Sequence, residues 1–271
     1  MHLFNGLGSY SQYLEIYPFH QKLGLEVLPS ADLEEKAKKS PYFSVDPGNE
    51  EAFPAELDDL IRLHYLVTSR KVTTILEFGV GKSTVVLDDA LQANKTQHLE
   101  FVSEHLRRTN AFECHSVDNN LSWINVCKES APTETVTYTH SELNVSTFND
   151  RICTFYELLP NIAPDLIYLD GPDQFSAQGS IRGITTTHPD RLPMVGDLLA
   201  MEHFLLPGTL IVVDGRSANA RFMKANFQRN WSHEYIAEYD QHFFELLEPP
   251  LGVFNKRQIE FCLGDDYFSR L

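Results

Sequence analysis

Runs typical of strands alternate with stretches of helical periodicity along most of the chain. Residues 73–78, 113–117, 135–140, 165–169 and 209–213 have the length and composition of strands in a buried sheet. Apolar residues at helical spacing occur at 55–69, 83–93, 121–130, 194–204 and 220–229. Strands that alternate with helices predict βαβ units, in which a mostly parallel sheet carries helices on both faces.

The two ends of the chain depart from this pattern. Residues 234–239, 243–247 and 258–263 are interpreted as antiparallel strands, and the first 52 residues are the least regular part. A charged run at 32–39 has the composition of one or two turns of solvated helix. We therefore predict an α/β, Rossmann-like domain over residues 53–271 and an N-terminal arm or cap over residues 1–52. Its sheet is expected to have seven mostly parallel strands, helices on both faces and an antiparallel C-terminal strand pair.

The carboxyl ends of the predicted strands carry acids and glycines. Ligands of open α/β sheets bind at this edge, so function is expected there. The first strand ends with Glu77 and Phe78 and is followed by Gly79 and Gly81. The second, fourth and fifth strands are followed directly by Asp118, Asp170 and Asp214, respectively.

The turn after the first predicted strand has the composition of a cofactor site. Gly79 and Gly81 allow a tight turn and close approach of a ligand to the backbone. Ser83 and Thr84 can cap the following helix, whose first amides then face the ligand. An acid at the end of the next strand, here Asp118, can accept hydrogen bonds from ribose hydroxyls.

Both acids of this region have an alternative role. Glu77 could brace the loop without contacting a ligand, and Asp118 could cap the helix predicted at 121–130. A helical insertion expected at 97–110 also makes the distance between the glycines and Asp118 longer than the usual ~20 residues.

The tetrapeptide at 81–84 suggests a second hypothesis, a nucleoside triphosphatase. A P-loop has the form G-x-x-x-x-G-K-[ST], and Gly81, Lys82 and Ser83 match its end. Its first glycine would fall on Leu76, inside the predicted strand, so the loop is too short to wrap a phosphate chain. A third hypothesis is a Rossmann-like binding protein without catalysis.

Together these motifs resemble the class I S-adenosylmethionine-dependent methyltransferases over about residues 55–263. The first motif of that family, E/D-x-G-x-G, is matched by Glu77, Gly79 and Gly81, and the L-P-G-T sequence at 206–209 resembles its turn before the fifth strand. The resemblance implies that S-adenosylmethionine lies beside this turn with its ribose on Asp118. It also implies transfer of a methyl group to a small molecule, with a hydroxyl oxygen as the expected acceptor.

The Asp-Gly-Pro sequence that begins at Asp170 resembles that of small-molecule methyltransferases of the catechol type. Those enzymes hold a divalent cation with an acid after strand four and an Asp-Asn pair after strand five. The resemblance therefore implies a cation such as Mg²⁺ at Asp170 and Asp214, although Gly215 stands where the asparagine would be. The alternative, that Asp170 contacts cofactor or substrate and Asp214 braces a loop, stays open.

A hydroxyl acceptor needs a general base near the strand ends. Asp170 is the first candidate, and His188 is the second. His188 lies in the long segment 173–192, which is expected to cover the substrate and to set specificity.

Composition narrows the classes of partner. The chain of 271 residues has 38 acidic against 22 basic side chains and a formal charge of −16. Such a charge repels nucleic-acid phosphates and anionic lipid surfaces, so neither nucleic acid nor membrane is expected as a partner. Four separated cysteines without a C-x-x-C pair indicate reduced thiols. A cytoplasmic location is the expectation, and a homo-oligomer is left open.

Overall fold

The computed structural model describes residues 3–25, 56–130, 133 and 135–271. The charged run at 32–39, expected to form helical turns, lies outside the described residues. Within the described ranges, no helix has both the length and the apolar character needed to cross a membrane.

Seven strands form one sheet, in the order β3-β2-β1-β6-β7-β9-β8. The first five of these are mutually parallel, β9 runs antiparallel to β7, and β8 runs antiparallel to β9. The predicted sheet and its antiparallel C-terminal pair are therefore confirmed. The strands are β1 (Thr74–Phe78), β2 (Glu113–Asp118), β3 (Val136–His140), β6 (Leu166–Leu169), β7 (Leu210–Asp214), β8 (Trp231–Ile236) and β9 (Gln241–Leu246).

Helices cover both faces of this sheet, as predicted. Leu63 and Leu87, from the two long helices α3 and α4, pack with Ile75 of β1 on one face. Leu198 and Met223 pack with Ile167 of β6 on the other. The helices of the described residues are α1 (Tyr10–Ile16), α2 (Phe19–Lys22), α3 (Leu57–Ser69), α4 (Lys82–His105), α5 (Leu121–Ser130), α6 (Asp197–Ala200), α7 (Ser217–Asn226), α8 (Gly252–Cys262) and α9 (Asp265–Ser269).

Local predictions failed at three places. Residues 258–263, expected to be a strand, lie mostly in α8, because the buried Asn255 and Ile259 are one helical turn apart. The helix expected at 194–204 is broken into α6 and a 3₁₀ turn, Glu202–Phe204. The stretch between β3 and β6 contains an antiparallel hairpin of β4 (Leu143–Phe148) and β5 (Arg151–Tyr156) that the sequence pattern did not predict.

The described part of the N-terminal arm packs on α3 and α4 around a buried histidine. The Phe19 ring stacks on His64 with 4.8 Å between ring centroids. The Tyr13 hydroxyl lies 2.6 Å from His64 Nδ1, and His64 Nε2 lies 3.1 Å from Asp89 Oδ2. Burial lowers the pKa of His64, so the ring is neutral; it donates from Nε2 to the carboxylate and accepts the tyrosine proton at Nδ1.

Tyr13→Phe is expected to destabilise the protein by about 1–3 kcal/mol, because His64 Nδ1 would be buried without a donor. Urea unfolding followed by circular dichroism measures this effect. Tyr235→Phe is the matched control, since the Tyr235 hydroxyl bonds an exposed Asp240 and its loss should change stability by less than about 0.5 kcal/mol. Equal unfolding midpoints for the two variants would contradict the role given to Tyr13.

Candidate active site

Glu77 is the last residue but one of β1, directly before the turn, and is fully buried. Its carboxylate accepts hydrogen bonds from Ser83 Oγ at 2.6 Å, Thr84 Oγ1 at 2.7 Å and Ser116 Oγ at 2.6 Å. Burial raises the pKa of Glu77 to about 7, against the opposing effect of these three hydroxyl groups. These contacts join β1, α4 and β2, so Glu77 braces the loop, which is the alternative role considered above.

The backbone of the same turn lies against the turn after β6. Gly79 has a φ of +94°, and a Cβ on Gly171 would come within 2.6 Å of both Cα and N of Gly79. Gly81 differs, because a Cβ there would meet nothing within 4 Å. The loop is therefore closely packed at Gly79 and opens to free space at Gly81.

Asp118 ends β2 beside this loop and is partly buried. Its Oδ2 accepts from the Val80 amide at 2.8 Å, and its Oδ1 accepts from the Asn120 amide at 2.7 Å. The helix-cap role is taken by Asn120, whose Oδ1 accepts from the amides of Ser122 and Trp123 in α5. Because a carboxylate has about four lone-pair sites, Asp118 keeps capacity to accept from a ligand.

Asp170 follows β6, the strand beside β1 on the side opposite β2. Its amide donates to the carbonyl oxygen of Phe78 at 3.0 Å. Its side chain is 52% exposed, yet so much protein surrounds it that dehydration raises the pKa of Asp170 to about 6. The Arg216 guanidinium acts in the opposite direction, with Nε 3.6 Å from Asp170 Oδ1. Asp170 therefore lies half-exposed at the carboxyl edge of the sheet, beside Arg216.

Asp214 ends β7 and is bound to neighbouring side chains. The Tyr168 hydroxyl donates to its Oδ2 at 2.5 Å, and Gln241 Nε2 donates to its Oδ1 at 3.2 Å. Asp214 thus braces the sheet edge, as the alternative interpretation proposed, while Asp170 faces Arg216. In the part of the chain that is described, no group of three or more His, Cys, Asp or Glu side chains could hold a metal ion. The donor set does not fit the Mg²⁺ predicted at Asp170 and Asp214.

His188 lies in the loop between β6 and α6 and is exposed. Its Nδ1 accepts from the Asp190 amide at 3.1 Å and lies 3.9 Å from the Asp190 carboxylate. Among the contacts of the described residues, none joins His188 to Asp170. The structure thus brings together Glu77, Asp118 and Asp170 but not the second candidate base.

Three residues of this site were missed by sequence reasoning. Ser116 lies beside Glu77 in the register of β1 and β2, and a strand pairing was needed to find it. Gly171 was seen only as part of the Asp-Gly-Pro sequence, although its lack of a side chain allows the Gly79 contact. Arg216 follows Gly215 directly, and a basic residue after a strand-end acid was the available signal.

The geometry of the loop disfavours the triphosphatase hypothesis. Ser83, which would contact the cation of a nucleotide in a P-loop, donates its hydroxyl proton to Glu77. The buried carboxylate beneath the start of α4 would also repel a polyphosphate when it is ionised. Lys82 is exposed at the first position of α4.

No family model matches the chain, and no curated protein matches it in sequence. Among solved structures, it is similar to an O-methyltransferase from Bacillus cereus in complex with S-adenosylhomocysteine, with 13% identity, 88% of this chain and 99% of that chain covered, and a TM-score of 0.40. It is also similar to a methyltransferase from Podospora anserina bound to S-adenosylhomocysteine, with 11% identity, coverage of 89% and 97%, and a TM-score of 0.43. A third is the tomaymycin-synthesis O-methyltransferase from Streptomyces achromogenes in complex with S-adenosylmethionine, with 14% identity, coverage of 87% and 97%, and a TM-score of 0.39.

These likenesses concern the fold, and the interpretation of the site rests on its own residues. The sheet has the predicted parallel strands and, near the C-terminal end, a strand that runs in the opposite direction. Glu77, Asp118 and Asp170 stand at the carboxyl ends of neighbouring strands. With its reversed strand and its strand-end acids in place, the chain has the fold that the resemblance to the class I S-adenosylmethionine-dependent methyltransferases implied.

Proposed function

We propose that the protein is an S-adenosylmethionine-dependent methyltransferase that acts on a small molecule at a hydroxyl oxygen. The observation that supports this most is the turn after β1, braced from below by Glu77 and open to free space at Gly81, with Asp118 beside it. A nucleoside-type cofactor needs such a combination of close backbone approach and a carboxylate for its ribose.

The charge of the site favours this cofactor over a nucleotide. Asp118, Asp170 and Asp173 lie near one another at the carboxyl edge of the sheet, and the negative charge of Asp173 adds to the burial that raises the pKa of Asp118. A field of this sign attracts a sulfonium cation and repels phosphates. The lone-pair capacity that Asp118 does not use within the chain would receive the ribose hydroxyls.

Asp170 would act as the general base. Held beside Asp118 and the turn after β1, S-adenosylmethionine would supply an electrophilic methyl group, with its sulfonium sulfur as the leaving group. The Asp170 carboxylate takes the proton of the acceptor hydroxyl. With a pKa of about 6, Asp170 is mostly ionised at neutral pH and a better proton acceptor than an ordinary aspartate.

Asp118→Ala is expected to weaken the binding of S-adenosylhomocysteine by about tenfold to a hundredfold, which corresponds to the loss of roughly 1.5–3 kcal/mol of charge-assisted hydrogen bonding. Isothermal titration calorimetry with the full chain measures the dissociation constant. Asp190→Asn is the control, because Asp190 is exposed in the loop that holds His188 and should leave binding unchanged.

The proposed function fails if the native protein, shown to be folded, binds neither S-adenosylmethionine nor S-adenosylhomocysteine. If the native protein binds both but Asp118→Ala binds them equally well, the cofactor site lies elsewhere. Asp118→Asn removes the negative charge at nearly constant shape, although its single amide oxygen can accept from only one of the Val80 and Asn120 amides.

A further inference from the structure

Arg216 links the carboxyl ends of the fourth and fifth parallel strands, β6 and β7. It donates from Nη2 to the carbonyl oxygen of Asp170 and from Nη1 to the carbonyl oxygen of Pro172. Its Nε lies 3.6 Å from Asp170 Oδ1 and is a buried donor without a hydrogen-bond partner. The guanidinium therefore holds the turn after β6 and presents a permanent positive charge to the Asp170 carboxylate.

The acid that would share a cation with Asp170 is bound elsewhere. Asp214 receives one hydrogen bond on each carboxylate oxygen, from Tyr168 and from Gln241. Gln241 is held in turn by Asp59 of α3, at 3.4 Å from its Nε2. Side chains of β6 and β9 therefore fix the orientation of the Asp214 carboxylate, and a metal ion would have to be bound in that orientation.

The charge balance at this edge of the sheet also depends on Arg216. Asp118, Asp170 and Asp173 contribute negative charge there, and the Asp118 and Asp214 carboxylates act on Asp170 in the direction of a higher pKa. Arg216 is the strongest opposing influence on Asp170. A guanidinium keeps its charge over the whole accessible pH range, so this compensation needs no bound ion.

We propose that Arg216, rather than a divalent cation, supplies the positive charge of this site, so that cofactor binding is independent of metal. Arg216 takes the place of a cation beside Asp170 and stabilises negative charge on the reacting oxygen of the acceptor. The meaning for catalysis rests on the proposed methyl transfer, whereas the ion-binding behaviour of the site does not.

Mn²⁺ titration of the full chain tests whether Arg216 takes the place of a divalent cation beside Asp170. Binding is followed by calorimetry and by the electron paramagnetic resonance signal of the free ion. The native protein is expected to show no saturable Mn²⁺ binding that depends on Asp170. Arg216→Met should bind Mn²⁺ at least about tenfold more tightly than the native protein, because the acids lose their compensating charge. Arg216→Lys keeps the charge and should behave like the native protein, and Asp170→Asn in the Arg216→Met background should abolish the gain. Thermal unfolding verifies that each variant is folded, and Arg216→Gln replaces the methionine variant if that variant does not fold.

The second arm measures S-adenosylhomocysteine binding by the native protein in excess EDTA and in millimolar Mg²⁺. The two dissociation constants should agree within about twofold. Three results would each overturn the inference. The first is Mn²⁺ binding by the native protein that is lost in Asp170→Asn, and the second is a cofactor affinity that requires Mg²⁺. The third is an equal Mn²⁺ affinity of Arg216→Met and the native protein. Absence of cofactor binding under both conditions would overturn the proposed function instead, and the Mn²⁺ titration would still decide the role of Arg216.

Discussion

Gly171→Ala is expected to abolish measurable binding of S-adenosylhomocysteine and to destabilise the protein by about 3 kcal/mol or more. The new Cβ would lie 2.6 Å from Cα and N of Gly79 and 2.9 Å from the carbonyl carbon of Phe78. All three are backbone atoms of the turn after β1, so no side-chain rotation can relieve the overlap. The two turns must separate, and the loop proposed to receive the cofactor moves with them.

Gly81→Ala is the matched comparison in the same loop. Its Cβ would meet nothing within 4 Å, and its φ of −178° suits any residue. We therefore expect the stability of this variant to stay within about 0.5 kcal/mol of the native protein. Chemical unfolding measures the stability of both variants, and calorimetry measures their binding of S-adenosylhomocysteine. A loss in Gly171→Ala alone indicates an effect of packing, whereas a loss in both variants indicates that any glycine substitution in these turns is harmful. A native-like Gly171→Ala protein would show that the two turns are not in contact.

Glu77→Ala is expected to destabilise the protein by about 3–5 kcal/mol, through a buried cavity and three hydroxyl groups that lose their acceptor. Glu77→Gln should be milder, because the hydroxyl groups of Ser83, Thr84 and Ser116 can turn to suit an amide of nearly the same shape. Urea unfolding at constant pH provides both values. If the alanine variant is as stable as the native protein, Glu77 does not brace the loop.

The raised pKa of Glu77 also predicts how stability depends on pH. The group binds its proton more tightly in the folded protein, where its pKa is about 7, than in the unfolded chain, where it is 4.5. Its contribution is therefore fully present below about pH 4.5 and is lost as the pH rises to about 7, a change of about 3 kcal/mol. Glu77→Gln should reduce this slope in unfolding experiments between those pH values. Part of the slope should persist in the variant, because burial also raises the pKa of Asp197 to about 7.

The sequence predicted the elements whose pattern is set by burial on both faces of the sheet. The strands that carry Glu77, Asp118 and Asp214 near their carboxyl ends are mostly apolar runs with an acid at or near the last position. Such runs identify the carboxyl edge of the sheet, where a site is expected. The domain boundary near residue 53, the cytoplasmic location and the open question of a homo-oligomer depend on no such pattern and stay predictions.

Features that depend on tertiary contacts could not be derived from local patterns. Residues 258–263 have strand-like composition, yet Ile259 packs as part of a helix because its neighbours in space accept only one helical face. The role of Arg216 depends on the pairing of β6 with β7, which brings it next to Asp170. That pairing cannot be derived from the separation of the two residues along the chain. His188 was predicted as a base from its position in a long loop, because the sequence does not show which residues the loop contacts. In the structure His188 contacts Asp190.

The contacts beneath the turn after β1 have a consequence for enzyme redesign. Glu77 satisfies the first hydroxyl groups of α4, and Asp118 satisfies the Val80 amide, so the shape of the loop is fixed by the chain itself. A ligand that arrives meets a preorganised surface, and little of its binding free energy goes into ordering the loop. Replacing Glu77 by a residue that cannot accept these hydrogen bonds would therefore destabilise the loop, while the open face at Gly81 offers a position where side chains can be varied without disturbing it.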